Sequence, residues 1–277
     1  MNKQTFADIL NGIDRQQEKK LKAKLPEWAD VPGIVVPSRL SLEQCSSSSA
    51  AIYKSEILQS LGVKTVVDIT GGMGVDSWAF AKVADSVDYY ERSESLCRNA
   101  EHNFKLLRAD NITVHNETVG NETAIPACDL VYADPARRDE GNDARKVFRL
   151  QDCTPDILTL LPHLWEKTGR ILLKLSPMAD ISVLAGHFAS TLSQVHIIGI
   201  KGECKEVLCL LDKEHSGEYE IIVLDLFSKN GLAFHPDEES EAEVIYGKPS
   251  IGKYLFEPSP VLLKSGCFKL LCSHYGL

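Results

Sequence analysis

Three groups of residues have types and spacings that can do chemistry. The first is the run Val66-Val67-Asp68-Ile69-Thr70-Gly71-Gly72-Met73-Gly74-Val75-Asp76. An apolar stretch ends there in a carboxylate, glycines follow, and helical sequence begins at Asp76 or Ser77. Glycines let backbone approach a ligand closely, and the open N–H groups of a helix start attract an electron-rich group. The second group is acidic: Glu91 closes the next apolar stretch in Tyr89-Tyr90-Glu91-Arg92, and Glu117 follows the one after it in His115-Asn116-Glu117-Thr118. The third is Asp134-Pro135-Ala136-Arg137-Arg138. Its proline restrains a turn, and the carbonyls on either side can accept the N–H bonds of an amine.

The glycine run does not fit two phosphate-binding patterns. A phosphate loop needs Gly-x-x-x-x-Gly-Lys followed by Ser or Thr, which is absent. A dinucleotide fold needs Gly-x-Gly-x-x-Gly, and counting from Gly72 and Gly74 the third place holds Ser77. A tight connection with no ligand is the plain alternative, and the carboxylates Asp68 and Glu91 at successive strand ends argue against it.

These groups need a scaffold that presents them at one sheet edge. From Lys64 onward, short apolar runs alternate with longer amphipathic segments, the pattern of βαβ units on a parallel sheet. Strands are expected at Thr65–Asp68, Ser86–Glu91, Ile112–Asn116, Leu130–Ala133, Arg170–Leu175, Val195–Ile200, Glu206–Leu211 and Glu220–Phe227. Helices are expected over Leu42–Leu61, over Glu94–Arg108 with Leu96, Ala100, Phe104 and Leu107 on one face, and from Thr154-Pro155. The link Lys201–Lys205 is too short for a helical crossover, so the strands it joins form an antiparallel hairpin, placed at the sheet edge.

Outside this core, Phe6, Ile9, Leu10 and Ile13 have helical spacing, and Pro26 ends a helical arm. Ser228–Ser240 is polar and reads as a boundary, Val244–Tyr246 as a short strand, and Pro258–Tyr275 as a helix with Val261, Ser265, Phe268 and Cys272 on one side. The expected organisation is a helical arm (1–41), a catalytic domain (42–227) and a linker with the start of a small domain (228–277). A further C-terminal portion is expected.

The chain has 277 residues, of which 44% are hydrophobic and 25% charged, with a formal net charge of -9. A full-size core is available at this length, and disordered or fibrous classes are excluded. The negative balance opposes nucleic-acid binding by bulk charge. Arg137, Arg138, Arg145, Lys146 and Arg149 nevertheless cluster within it; a solvated loop is the alternative reading of that cluster. No apolar run is long enough to span a membrane and no signal peptide is visible, so the chain reads as cytoplasmic. Its eight cysteines lack Cys-x-x-Cys spacing, which favours free thiols and calls for no metal.

The string Asp68-Ile69-Thr70-Gly71-Gly72-Met73-Gly74 resembles the cofactor motif of class I S-adenosylmethionine-dependent methyltransferases, with Thr70 in place of the first glycine. The resemblance implies a Rossmann-like α/β fold with a seven-stranded, mostly parallel sheet and an antiparallel edge hairpin. It implies that S-adenosylmethionine is held by Asp68, Thr70, Gly71, Gly72, Gly74, Asp76, Glu91, Arg92 and Glu117. Glu91 would accept both ribose hydroxyls. Glu117 would lie near the adenine amino group, with a surface turn as the alternative.

Asp134-Pro135 resembles half of the Asp/Asn-Pro-Pro-aromatic turn of class I enzymes that methylate nitrogen, and Ala136-Arg137 departs from the other half. Asp134, Pro135 and Arg137 are the expected catalytic residues. Arg137 would stack on a base or meet a phosphate, or else pair with Asp139 or Glu140. The complete string, with Leu42-Glu43-Gln44-Cys45-Ser46-Ser47, Gly202-Glu203-Cys204-Lys205-Glu206 and Phe256-Glu257-Pro258-Ser259-Pro260, is similar to a bacterial group that carries a THUMP-like domain after the catalytic one. That points to methyl transfer to an RNA nucleobase nitrogen. A protein side chain or small amine as acceptor, and a non-catalytic cofactor-binding module, are the alternatives. Lys174 is read as solvated or phosphate-facing. Gln44 and Ser46 are read as contacts to the methionine part of the cofactor or as helix caps.

Overall fold

The structure is a computed structural model that describes residues 15–137, 150–244, 252–254 and 257–276. The expected helical positions Phe6 to Ile13, the basic residues Arg138, Arg145, Lys146 and Arg149, and most of the strand expected at Val244–Tyr246 lie outside the described residues. The chain divides into two compact units, residues 1–132 with 166–168, and residues 133–165 with 169–277. Among the described residues, no helix is long and apolar enough to cross a membrane.

In the first unit four short strands run parallel in the order β4 (Leu130–Ala133), β1 (Thr65–Asp68), β2 (Ser86–Tyr90) and β3 (Ile112–His115), the last residue of β4 passing into the second unit. They are short because buried apolar runs of four or five residues are bounded by charged and glycine residues. β1 and β4 are almost wholly buried, as parallel strands covered on both faces must be. The helix Glu94–Leu106 begins at Ser93, whose hydroxyl accepts the Leu96 N–H, and buries Cys97, Ala100 and Phe104.

The helix expected over Leu42–Leu61 is two helices, Arg39–Gln44 and Ser48–Ser60, because Cys45 to Ser47 is extended and Ser47 starts the second by accepting the Ala50 N–H. The amino-terminal segment forms helices Arg15–Lys24 and Pro26–Ala29. Leu21, Leu25 and Trp28 join the same apolar cluster as Met73, Trp78, Tyr89 and Phe104. Trp28 packs edge-on to Trp78 at 5.9 Å and 81°.

The second unit holds β7 (Arg170–Leu175), β8 (Leu192–Ile200), β9 (Glu203–Asp212), β10 (Glu220–Asp225) and β11 (Asn230–Phe234), in the order β11-β10-β8-β9-β7. Among the described residues the main sheet therefore has nine strands rather than the expected seven. The β8–β9 hairpin is antiparallel as expected, but it is not an edge: β9 also pairs antiparallel with β7, and β10 runs parallel to β8. Glu206 to Leu211 is fully buried, so this strand needs neighbours on both sides.

β11 is the outer strand. Four of its five residues are exposed or half-buried, which is why its pattern reads as a polar boundary. A two-stranded pair, β5 (Ala136–Arg137) with β6 (Cys153–Thr154), occupies the place where a helix start was expected, and that helix begins at Ile157 instead. The expected helix Pro258–Tyr275 is broken by Gly266 at φ 74° into Pro260–Ser265 and Lys269–Tyr275, which leaves Phe268 54% exposed. All eight cysteines are free.

Candidate functional site

In the first unit, β1 delivers Asp68 to the start of the glycine turn, where it is buried and braces the bend from inside. One carboxylate oxygen accepts the Thr70 N–H at 3.0 Å and the Thr70 hydroxyl at 3.4 Å, and the other accepts the Ser77 hydroxyl at 2.5 Å. The glycines have separate physical reasons. A Cβ on Gly71 would come within 2.1 Å of the Tyr89 ring, and one on Gly74 within 2.6 Å of the Phe104 ring. Gly72 and Gly74 both have positive φ, 55° and 85°. A Cβ on Gly72 would meet nothing closer than 3.8 Å, so the backbone there is open to approach.

β2 delivers Glu91 to the same turn. One oxygen of its half-buried carboxylate accepts the Gly72 N–H at 3.0 Å and the other accepts the Ser93 N–H at 2.8 Å. The Tyr89 hydroxyl donates to the Gly72 carbonyl at 2.6 Å, so Gly72 is held from both sides. Two backbone donors fix the Glu91 carboxylate in one orientation, and its remaining lone pairs can still accept hydroxyl groups. Arg92 is exposed, and its carbonyl, like that of Glu91, receives the Asn116 amide. Glu117 is exposed beside the buried Tyr90, whose hydroxyl is pushed up first by burial and then by the carboxylates of Asp88 and Glu117. His115, to which the sequence assigns no role, stacks on Tyr90 at 4.3 Å and shares a 2.7 Å hydrogen bond with Asp88.

Asp76 belongs to a buried polar network that the sequence does not announce. Its carboxylate accepts the Ser46 hydroxyl at 2.8 Å and the Tyr132 hydroxyl at 2.9 Å, and pairs with the Lys54 ammonium at 3.1 Å. Lys54 in turn donates to the Ser46 hydroxyl at 3.0 Å. Ser46 is thus part of this network, and Ser47 rather than Ser46 caps the following helix. The sequence carries no local signal for it, because Lys54 is followed by Ser55 and Glu56 as on an exposed face, yet it is fully buried and, as buried lysines require, paired.

In the second unit, Asp134 follows β4 and Pro135 is buried, and β5 begins at once. Lys174, near the end of β7, makes a short ion pair with Asp134. The lysine side chain is 12% exposed and the aspartate 35%, so the pair turns its carboxylate toward solvent. Lys174 is therefore neither simply solvated nor isolated. The structure brings together Thr70, Gly71, Gly72, Gly74 and Glu91 around one bend, with Asp68 and Asp76 braced beneath or beside it, and separately joins Asp134 to Lys174.

No family model and no curated protein matches the chain. Among solved structures, a protein from Pyrococcus horikoshii assigned as an RNA methyltransferase is 16% identical over 72% of this chain and 98% of its own, with a TM-score of 0.49. A Listeria monocytogenes protein assigned as a class I S-adenosylmethionine-dependent methyltransferase is 13% identical over 76% of this chain and 71% of its own, also at 0.49. A protein from Porphyromonas gingivalis W83 assigned as a methyltransferase is 30% identical over 98% of this chain and 71% of its own, with a TM-score of 0.78. Identity and coverage at that level mean that the chain belongs to the same methyltransferase family.

Proposed function

We propose that the chain transfers the methyl group of S-adenosylmethionine to a nitrogen, and that the nitrogen belongs to an RNA nucleobase. The observation that carries the cofactor is the Gly72 N–H bond to Glu91, which sets an acidic carboxylate beside an open glycine bend. The residues present fit this cofactor. Glu91 suits the hydroxyl donors of a ribose, and the glycine run lacks the Gly-x-Gly-x-x-Gly pattern that the phosphates of a dinucleotide need. When bound, S-adenosylmethionine supplies an electrophilic methyl group, which passes to the acceptor as its bond to sulfur breaks.

The chain's own part is to bind and orient. Glu91 accepts the ribose hydroxyls, Gly72 leaves room for close backbone approach, and Glu117 serves the adenine edge. Asp134 and the carbonyls flanking Pro135 accept the acceptor's N–H bonds, so that the nitrogen lone pair stays available and its proton leaves to water. Orientation of this kind can supply about 7 to 11 kcal/mol. Arg137 and the basic residues that follow it in sequence supply contacts for RNA phosphates. The resemblance to the group with a THUMP-like domain supports the same acceptor class.

Methyl transfer from labelled cofactor to fractionated RNA, protein and small metabolites tests this. Label in RNA is expected. Label in protein or small amines alone would move the acceptor class, and no transfer at all, with cofactor bound, would overturn the reaction.

A further inference from the structure

Lysines are seldom buried unless paired, and Lys174 is 12% exposed with its ammonium on Asp134. It stands near the end of β7 between Leu173 and Leu175, both buried. Its strand is held by pairing with β9, where Lys174 faces Leu208. The ammonium therefore rises from a fixed strand with Leu208 as its cross-strand neighbour, while Leu173 and Leu175 point to the other face of the sheet. Asp134 is the more exposed partner, at 35%. Anything that meets this pair from solvent meets the carboxylate first and feels the ammonium behind it.

We infer that Lys174 is a specificity-determining residue that sets the charge of the acceptor: the pair selects a neutral N–H group, such as the amine of a nucleobase, over an alkylammonium. The inference rests on the proposed role of Asp134 as the acceptor-holding residue. A carboxylate alone attracts a cation, and an alkylamine is protonated up to about pH 10, with no lone pair to offer in that state. With its charge offset by Lys174, Asp134 still accepts an N–H bond but no longer favours a positive group. A neutral exocyclic amine loses nothing by this, because it is held by hydrogen bonds and keeps its lone pair. Lys174 would thus exclude lysine-like and small cationic amines without touching the acceptor itself.

The test uses the full chain saturated with S-adenosylhomocysteine and two probes, cytidine for the neutral N–H group and n-butylammonium for the cation. The wild type is expected to bind cytidine more tightly than butylammonium by about tenfold. Lys174→Met should raise butylammonium affinity about fivefold or more and leave cytidine affinity unchanged, and adding Asp134→Asn should abolish the gain. If the methionine variant does not fold, Lys174→Gln and the wild-type preference serve instead. A wild type that binds the two probes equally, or binds neither, overturns the inference, as does a Lys174 variant whose preference is unchanged. Because methyl transfer is not the readout, a wild type that prefers cytidine but transfers no label overturns the proposed reaction alone.

Discussion

The Lys54 ammonium lies 3.1 Å from an Asp76 carboxylate oxygen, and the lysine side chain is wholly buried. The pair is further tied to Ser46 and Tyr132. Removing one member leaves a buried charge without its counter-ion, so Lys54→Met should cost about 3 to 5 kcal/mol in urea unfolding. The double variant Lys54→Met with Asp76→Asn should cost clearly less than Lys54→Met alone. Equal losses in the two proteins would mean that charge is not what couples them.

Glu91 spends a bond on the Gly72 N–H and another on the Ser93 N–H, both of which Glu91→Ala would leave open. Two charge-assisted hydrogen bonds and any made to a ribose are lost together. Affinity for S-adenosylhomocysteine, measured by calorimetry, should fall by roughly 30-fold or more, about 2 kcal/mol. An unchanged affinity would remove Glu91 from the cofactor site.

Gly71→Ala places a methyl group within 2.1 Å of the Tyr89 ring, which is itself held by its bond to the Gly72 carbonyl. The ring has nowhere to yield, and an overpacking loss of about 1 to 3 kcal/mol is expected. Thermal unfolding should fall by several degrees, and S-adenosylhomocysteine should recover less of that loss than it adds to the wild type. The companion variant Gly120→Ala, which would meet nothing within 4 Å, should leave the transition in place.

His196 lies buried on β8, and burial pushes its imidazole down from the ordinary 6.5 to about 4. The unfolded chain takes up a proton near pH 6.5 that the folded chain refuses until about pH 4. Stability is therefore complete above pH 6.5 and declines as the pH falls toward 4, by about 3 kcal/mol at most for this group. Replacing His196 with Gln should flatten that part of the acid limb in urea titrations run between pH 4 and 7. A slope that survives the substitution would assign it to other groups.

The core strands are legible because their signal is local. The runs Thr65–Asp68, Leu130–Ala133 and Arg170–Leu175 are apolar, short and bounded by polar or glycine residues, and they form strands with those bounds. The glycine turn was legible for the same reason. What the sequence hid depends on partners far along the chain. Asn230–Phe234 becomes a strand only because β10 offers a free edge, and its exposed residues carry no apolar alternation. The pairing of Lys174 with Asp134 spans 40 positions, and Lys54 with Asp76 joins two different helices. No periodicity records such meetings. The sequence points Gly71 and Gly74 at a ligand, whereas the reason the structure gives for them is the closeness of the Tyr89 and Phe104 rings.

Leu21, Leu25 and Trp28 sit in the cluster that includes Trp78, the residue two places after Asp76, and Tyr89, the ring under Gly71. The segment that looks like a detachable arm belongs to the apolar core on which the glycine turn rests. A shortened chain beginning at the first core strand would lose Trp28, which packs edge-on to Trp78, and with it part of that cluster. A piece of the molecule that keeps this part of the core intact therefore starts upstream of Leu21, nearly fifty residues before the motif by which the turn is recognised.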